Sequence, residues 1–483
     1  MKKKIFIILG VVIILGVFLS FAMEKIKKEK ECEYCSINYF SESNPFGLTG
    51  LYGEKDYELT KQMGVGWIRP QIGWKFIEPQ NDQFNWDKLD EIYNEYHQKY
   101  GFNIMISLRT GQLEWATKYD PDLCQYKKDK EKGCPDPYAS LLPKDLQSTW
   151  SNQYGYSKSY YDFVFKTVEH FKGRVDYYVI ENEVNTLTFW HGTPEEYLQL
   201  RATAYKAAHD ASSSVVIIDN GIASGVWGYA IARDKYCSGD SQGALEFFKM
   251  FFQRQMSPDE IDKQIAQNAI DCQNPSRAYQ FLKATFKEPT FDIASYHFYE
   301  PWQAQSEVIA WVKNEMNNNG YQKPIFCTEG GYFDKLHSQS DIETQKLVSQ
   351  DIIKLHAIAF GEGVKKWVWL PLDESNPSEE SKQYKGLYNA TYTELPAGTA
   401  YKTMLKKILG FSSVEKLNLG SGIYAYKFVV DEKPVYILWS DSPKTMDFSF
   451  EITGNVKVTR TDGGTETRQS SDLEITESPV FIE

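Results

Sequence analysis

The sequence predicts an α/β fold, a (β/α)8 or TIM barrel followed by a small antiparallel β-domain. Three observations support this prediction. Short apolar runs alternate with amphipathic helical stretches along most of the chain, which is typical of parallel βαβ units. Eight such runs can be counted, the number of strands in this type of barrel. From about residue 411 the hydrophobic pattern changes to a period of two, which is typical of antiparallel strands.

Eight apolar segments are predicted as the barrel strands. They are 46–50, 66–70, 102–108, 175–183, 214–219, 291–299, 324–329 and 364–370. Helical periodicity is clearest between them, at 86–99, 158–171, 195–210, 304–317 and 341–360. A doubly wound open sheet would share this alternation. However, no strand is followed by the glycine-rich phosphate loop that such nucleotide-binding sheets usually carry.

Two connections are much longer than the others, residues 110–155 after the third strand and 220–290 after the fifth. Both follow the C-terminal ends of strands, where barrels build their active sites, so we expect them to wall a substrate cleft. We expect the barrel to occupy residues 45–410. A β-sandwich-like accessory domain is expected at 411–483, where period-two runs are separated by Gly, Pro, Asp and Ser.

The N-terminus carries a candidate membrane segment. Three lysines precede an uncharged run, residues 5–23, which at ~1.5 Å per residue would span roughly 28 Å. Cleaved signal peptides usually have an apolar stretch of about 7–15 residues. We therefore favour a signal anchor in residues 1–23 over a cleaved signal peptide, with 24–44 as a polar spacer. Either alternative predicts an extracytoplasmic protein, membrane-anchored or secreted, whose membrane contact is confined to this segment.

The cysteines fit an oxidising compartment. Cys124 and Cys134 lie in the first long insertion, and Cys237 and Cys272 lie in the second, so each pair could form a local disulfide. Cys327 lies in a predicted buried strand and is interpreted as a packing residue.

Composition excludes some partners. The formal net charge is −12, and this acidity would repel a phosphate backbone, so we expect no nucleic-acid partner. The chain is rich in aromatic residues, with 12 Trp, 32 Tyr and 28 Phe. Flat aromatic rings bind the apolar faces of sugars, although a large α/β core needs bulky residues too. The sequence does not predict an oligomeric state.

Two glutamates close predicted strands. Glu183 ends the fourth strand within VDYYVIENEVN, and Glu329 ends the seventh within PIFCTEGG. A carboxylate at the end of a buried strand is costly without a partner or a task. A single one could be a structural ion pair or a helix cap, but two at these strand ends indicate a catalytic pair. Glycosidic bonds are cleaved by two carboxyl groups that face the same bond.

These residues resemble clan A of the glycoside hydrolases, the retaining (β/α)8 enzymes. Asn182-Glu183 resembles the clan's Asn-Glu pair at the end of strand four, and Thr328-Glu329-Gly330 resembles its nucleophile segment. The resemblance implies an O-glycosyl hydrolase that cleaves β-glycosidic bonds of an oligo- or polysaccharide by double displacement. It also implies that Glu183 is the acid/base, that Glu329 is the nucleophile, and that Asn182 binds the sugar's 2-hydroxyl.

The resemblance extends to further strand ends and implies supporting roles there. Arg69 at the end of strand two and Tyr299 at the end of strand six would favour the ionised nucleophile. His297 is part of an H-x-Y segment similar to that of family 5, where it would bridge to the acid/base or serve as a core histidine. Trp369 in strand eight would stack under the sugar, and Trp74 is a further candidate for the cleft. The trailing β-domain is similar to those of family 39 and of some family 5 members.

Two other acids and two other functions remain as alternatives. Glu181 shares strand parity with Glu183, so it is either a buried hydrogen-bonded residue or a second acid in the same space. Glu300 could also reach the cleft. A non-catalytic carbohydrate-binding barrel at the cell surface would not need both Glu183 and Glu329. A metal-dependent hydrolase would need clustered histidines at strand ends, and the 7 histidines form no such cluster in sequence, so we expect neither a metal nor a cofactor.

Overall fold

The computed structural model describes residues 44–118, 139–266, 271–337, 341–374 and 383–483. Within these ranges the predicted fold class is confirmed, since eight parallel strands form a barrel and an antiparallel domain follows it. The second barrel strand is divided into two short pieces. The barrel strands are Phe46–Leu48 (β1), Trp67–Ile68 with Gln71–Gly73 (β2), Asn103–Arg109 (β3), Tyr177–Ile180 (β4), Val216–Ile218 (β5), Ala294–Phe298 (β6), Ile325–Gly330 (β7) and Lys366–Trp369 (β8).

The strand order closes the barrel. The strands follow one another as β5-β4-β3-β2-β1-β8-β7-β6, all in parallel pairs. Isolated parallel bridges Ile218–Ile293 and Ile222–Tyr296 then join β5 to β6. Every strand therefore has two neighbours, and all the C-terminal strand ends meet at one rim.

Successive side chains along each barrel strand point alternately into the barrel and outward to the helices. A buried cluster takes one residue from each of six strands or their approaches, as expected for the inside of a barrel. Its members are Trp67, Met105, Val179, Ile218, Ile293 and Phe326. The residues between them pack outward against the helices and form most of the main core.

The five predicted helical segments are helices in the structure. The helices are Glu54–Met63 (α1), Trp74–Ile77 (α2), Trp86–Tyr93 (α3), Lys158–Phe171 (α4), Pro194–Ala211 (α5), Gly225–Cys237 (α6), Ser241–Phe252 (α7), Pro258–Ala266 (α8), Arg277–Thr285 (α9), Gln305–Asn318 (α10), Ile342–Gly361 (α11) and Pro396–Ile408 (α12). A π-helical segment, Asn94–Lys99, continues α3, and a 3-10 helix, Trp302–Ala304, precedes α10. Local sequence explains where several begin. For example, Thr193 and Glu196 form a reciprocal capping box around Pro194 at the start of α5.

The long insertion after β5 is helical rather than irregular. It contains α6, α7, α8 and α9. The predicted disulfide between Cys237 and Cys272 is present and joins the end of α6 to the segment before α9, with the two Cα atoms 5.8 Å apart. Cys327 is a buried free thiol, as predicted. Cys124 and Cys134 lie outside the described residues.

The C-terminal domain is a six-stranded antiparallel sheet with a two-stranded ribbon. Its strands are Ser413–Leu417 (β9), Ile423–Val430 (β10), Lys433–Ser440 (β11), Lys444–Met446 (β12), Asn455–Thr459 (β13), Thr465–Gln469 (β14), Leu473–Ile475 (β15) and Val480–Ile482 (β16). One face has a small core of its own, and the other joins the main core of the barrel. At this junction the Trp302 ring packs edge-on against Tyr424 and Trp439.

The predicted signal segment at 1–23 and nearly all of the spacer at 24–44 lie outside the described residues. In the part of the chain that the structure describes, no helix combines the length and the apolar character needed to cross a bilayer.

Candidate active site

Six predicted site residues converge at the C-terminal rim of the barrel. Because parallel strands all point the same way, residues far apart in sequence meet at this rim. The six are Arg69, from the break between the two pieces of β2, and Asn182, Glu183, His297, Tyr299 and Glu329, from the ends of β4, β6 and β7 or the turns directly after them.

Glu329 is held by one cation and one hydroxyl. Its Oε2 accepts a hydrogen bond from Arg69 Nη1 at 3.0 Å, and its Oε1 accepts one from the Tyr299 hydroxyl at 2.6 Å. Burial works to raise the pKa of Glu329, but the neighbouring His297 ring, Arg69 and the Tyr299 hydroxyl outweigh it and hold this pKa below its ordinary value. Glu329 is therefore ionised at neutral pH, which is the state that a nucleophile requires.

Arg69 contacts both Glu329 and Asn182, the residue that precedes Glu183. Its guanidinium is fully buried and also donates to Ser107 Oγ at 3.0 Å and to the Thr328 carbonyl at 2.9 Å. Its Nη2 donates to Asn182 Oδ1 at 2.6 Å. With its oxygen occupied in this way, Asn182 retains its side-chain NH2 group as a donor for a substrate.

Glu183 is paired with a buried histidine. His297 Nδ1 lies 2.7 Å from Glu183 Oε1 and 3.9 Å from Glu329 Oε1. The imidazole packs so closely on Gly221 that a Cβ atom there would lie 2.1 Å from His297 Nε2. Gly221 also has a φ of +70°, so both the space and the backbone conformation require glycine.

The backbone around Glu183 leaves the strand before the acid is reached. Strand β4 ends at Ile180, and Glu181 and Glu183 have φ values of +68° and +44°, in a region that side-chain-bearing residues rarely adopt. The Glu183 N–H donates to the Gly221 carbonyl at 3.1 Å, which helps to hold this conformation. Strained backbone of this kind is common at functional sites.

Glu181 is a buried hydrogen-bonded residue, not a second acid beside Glu183. Strand alternation predicted that Glu181 and Glu183 point the same way, but the left-handed backbone at these two residues breaks the alternation. Glu181 is 0% exposed, and its Oε1 accepts the Thr110 N–H at 2.7 Å. Burial raises the pKa of Glu181, although the nearby Arg109 opposes this effect.

Glu300 does not reach the cleft either. It is 1% exposed, and its Oε1 accepts hydrogen bonds from Ser224 Oγ and from Gln255 Nε2. Both donors belong to the insertion after β5, so Glu300 faces the insertion and not the rim of the barrel.

The spacing of the two catalytic candidates indicates what they can do. One carboxylate oxygen of Glu183, a ring nitrogen of His297 and one carboxylate oxygen of Glu329 all lie within 4.8 Å of one another. Carboxyl groups about 5–5.5 Å apart are typical of retaining glycosidases, and inverting enzymes need about 6.5–9.5 Å. Three such groups could also be considered for a metal ion, but Arg69 already places a cation on Glu329.

A comparison with protein families supports the same chemistry. The family model for glycoside hydrolase family 42, described as beta-galactosidase, matches residues 44–197, which include Arg69, Asn182 and Glu183. The matched segment is about a third of the chain, and the family that it matches is one of glycoside hydrolases. No curated protein matches it by sequence.

Solved structures share the fold of this chain at low sequence identity. A family 39 glycoside hydrolase from Bacteroides cellulosilyticus is 12% identical, with a TM-score of 0.57 over 91% of this chain and 81% of that one. A monomeric beta-xylosidase from Caulobacter crescentus is also 12% identical, with a TM-score of 0.54 over 92% of this chain and 96% of that one. A conserved exported protein from Bacteroides fragilis is 10% identical, with a TM-score of 0.54 over 92% of this chain and 98% of that one.

The two predicted tryptophans do not line the cleft. Trp369 is 0% exposed and points outward from β8, where its ring packs near His356 and Tyr401 in the helical layer. Trp74 is also 0% exposed, and its ring stacks on Phe163 at 4.8 Å. The assignment of both as sugar-stacking residues was therefore wrong, because neither has a face that a sugar could reach.

Other aromatic side chains stand where a substrate can reach them. A cavity of about 790 Å³ runs from Arg69 across the loops after β1, β2 and β3. Phe189 and the highly exposed Tyr52 line it, and Arg109 lies over the Phe189 ring at 5.1 Å. Sequence reasoning missed Phe189. The sequence did contain a signal, since Phe189 lies in the loop directly after Glu183 and this loop must lie at the same rim of the barrel.

Proposed function

We propose that this protein is a clan A glycoside hydrolase that cleaves β-glycosidic bonds in an oligo- or polysaccharide with retention of configuration. Glu329 is the nucleophile and Glu183 is the acid/base. The observation that carries the proposal is the close pair of carboxylates, one held ionised by Arg69 and Tyr299 and the other hydrogen-bonded to His297.

In the first step, Glu329 attacks the anomeric carbon while Glu183 gives its proton to the departing glycosidic oxygen. The C–O bond to the leaving group breaks, and an ester bond forms between the sugar and Glu329. Arg69 and Tyr299 hold the attacking carboxylate in place, and the Asn182 NH2 group is available to the sugar's 2-hydroxyl, a contact that strengthens in the oxocarbenium-like transition state.

In the second step, Glu183 acts as a base. It takes a proton from a water molecule, whose oxygen attacks the anomeric carbon and displaces Glu329. Two inversions at the same carbon restore the original configuration. His297 can share a proton with Glu183 Oε1 in either direction, so it suits an acid that must become a base within one cycle.

The catalytic pair is tested by covalent trapping and by rescue. Incubation with activated 2-deoxy-2-fluoro β-glycosides of glucose, galactose, xylose and mannose should add one sugar to the peptide that contains Glu329, as measured by mass spectrometry. Glu329→Gln should abolish labelling, and Glu195→Gln, at an exposed glutamate on α5, should not.

Rescue by azide distinguishes the nucleophile from the acid/base. Glu329→Ala with azide should give an α-glycosyl azide, because one inversion replaces two. Glu183→Ala with azide should give a β-glycosyl azide. If Glu329→Ala retains near-normal hydrolysis without azide, Glu329 is not the nucleophile.

The Cys237–Cys272 disulfide supports an extracytoplasmic location, which we include in the proposal. Fractionation of cells that express the full chain should place the protein outside the cytoplasm. Recovery of the fully reduced chain from the cytosol would contradict this part of the proposal.

A further inference from the structure

Tyr299 is held at both ends of its backbone by the insertion after β5. Its N–H donates to Ser224 Oγ at 3.0 Å, and its carbonyl accepts from Arg254 Nη2 at 2.9 Å. Ser224 immediately precedes α6, and Arg254 follows α7, so both belong to the insertion. The phenolic hydroxyl of the same tyrosine donates to Glu329 Oε1 at 2.6 Å.

The groups that hold Tyr299 are themselves fixed by buried polar partners. Ser224 Oγ donates to Glu300 Oε1 at 3.1 Å, and Gln255 Nε2 donates to the same oxygen at 2.6 Å. The Ser224 hydroxyl accepts a hydrogen bond from the Tyr299 N–H and donates one to Glu300, so these two partners set the direction of its O–H bond. This leaves Ser224 little freedom to rotate.

Arg254 is equally constrained. Its Nη1 donates to Asp351 Oδ2 at 3.0 Å, and its guanidinium lies over the Tyr332 ring at 3.9 Å from the centroid. Its side chain is only 11% exposed. A planar guanidinium held on one side by a carboxylate and on its face by an aromatic ring has one orientation, and in that orientation it meets the Tyr299 carbonyl.

The ring of Tyr299 is confined as well. A Cβ atom on Gly331 would lie 3.2 Å from Tyr299 Cε1 and 2.1 Å from the Leu370 carbonyl oxygen. The Leu370 carbonyl therefore requires glycine at position 331, and the Tyr299 ring packs close to this glycine, directly after β7.

We propose that Ser224 and Arg254 are positioning residues, which hold Tyr299 so that its hydroxyl stays on the nucleophile Glu329. This inference rests on the proposed function, since it gives Glu329 the role of nucleophile. It assigns the helical insertion a second task besides walling the cleft. Loss of either contact should let the Tyr299 hydroxyl drift and should weaken the hydrogen bond that favours ionised Glu329.

A double-mutant cycle tests this proposal against a merely structural role. Tyr299→Phe removes the hydroxyl and should lower kcat/KM roughly 10- to 100-fold, the factor for losing a hydrogen bond to a charged group. Ser224→Ala should lower it by part of that factor in the wild-type background and should have almost no further effect in the Tyr299→Phe background. Equal factors in both backgrounds would overturn the proposal.

Arg254 needs a variant that does not leave a buried charge unpaired. Arg254→Met combined with Asp351→Asn removes both charges of the pair. The double variant should lower kcat/KM in the wild-type background and should have almost no further effect on kcat/KM in the Tyr299→Phe background. If it does not fold, the Ser224→Ala cycle still decides.

A readout that does not need catalysis separates this inference from the proposed function. Water-soluble carbodiimide modifies protonated carboxyl groups, and mass spectrometry reports labelling of the Glu329 peptide as the pH is varied. Weakening the hydrogen bond removes a group that lowers the pKa of Glu329, so Ser224→Ala should move the labelling midpoint to higher pH, as Tyr299→Phe should. An unchanged midpoint in Ser224→Ala, with a shifted one in Tyr299→Phe, overturns the inference. Failure of fluoro-sugar trapping in the wild type overturns the proposed function instead.

Discussion

Gly221→Ala should disable the acid/base while leaving the fold intact. The added methyl group would lie 2.1 Å from His297 Nε2, where ordinary van der Waals contact begins at 3.4 Å. The imidazole cannot remain where it is, and any movement away from Gly221 disturbs the 2.7 Å contact between His297 Nδ1 and Glu183 Oε1. The variant therefore acts on Glu183 without altering any titratable group.

Two free-energy terms contribute, and a matched control separates them. A left-handed backbone costs an alanine about 1–2 kcal/mol. Gly173 has a φ of +74° with no atom within 4 Å of an added Cβ, so Gly173→Ala has the same backbone cost without a contact. Loss of the His297–Glu183 hydrogen bond should cost a further 1.5–3 kcal/mol or so, which corresponds to a decrease of roughly 10- to 100-fold in kcat/KM.

The assay is kcat/KM on whichever aryl β-glycoside the wild type cleaves, with the thermal unfolding midpoint measured in parallel. Gly221→Ala should lose more stability than Gly173→Ala, because only Gly221→Ala adds a clash with the buried His297 ring, and only Gly221→Ala should lose activity at a temperature well below its own midpoint. If the two variants are equally active, the close packing of His297 on Gly221 has no part in positioning Glu183.

Three further predictions concern separate parts of the molecule. Cys237→Ser with Cys272→Ser, or reduction of the wild type, should lower the free energy of unfolding by about 3–4 kcal/mol, seen as a lower thermal midpoint. Phe189→Ala should raise KM for an oligosaccharide about fivefold by removing a stacking surface, and Leu187→Ala, exposed in the same loop, should not. Burial lowers the pKa of His356 from 6.5 to about 3, so the unfolded state binds a proton that the native state excludes between these pH values. The unfolding free energy of the wild type should therefore decrease below pH 6.5 more steeply than that of His356→Leu, by up to about 1.4 kcal/mol per pH unit. Equal slopes would contradict the buried neutral state of His356.

The neighbours of Glu329 lie where the sequence placed them. Arg69 and Tyr299 were each predicted to end a strand and to favour an ionised nucleophile, and both contact Glu329. This was possible because a parallel barrel brings all strand ends to one rim, so the position of a residue along its strand already specifies which others it can meet.

The direction of a side chain at the rim was less predictable. The alternation that should have placed Glu181 beside Glu183 fails because residues after Ile180 adopt left-handed backbone. Trp369 lies within regular strand, yet it points to the helices, since parity relative to the barrel interior depends on register with the neighbouring strands. No periodicity in a single strand carries that information.

The sequence by itself determined the barrel, the trailing β-domain and the two glutamates at the C-terminal rim, because hydrophobic periodicity and the succession of strands and helices along the chain are local properties. Only the tertiary structure decided which aromatic rings face the cleft, that Glu181 turns away from Glu183, and that Ser224 and Arg254 hold Tyr299. The hydrogen bond of Glu181 and those between Tyr299 and the insertion join residues 45 to 75 positions apart in sequence. They depend on how the strands close and how the insertion folds back onto the rim. The physical reason is that burial and hydrogen-bond partners are set by packing, which a linear pattern does not contain.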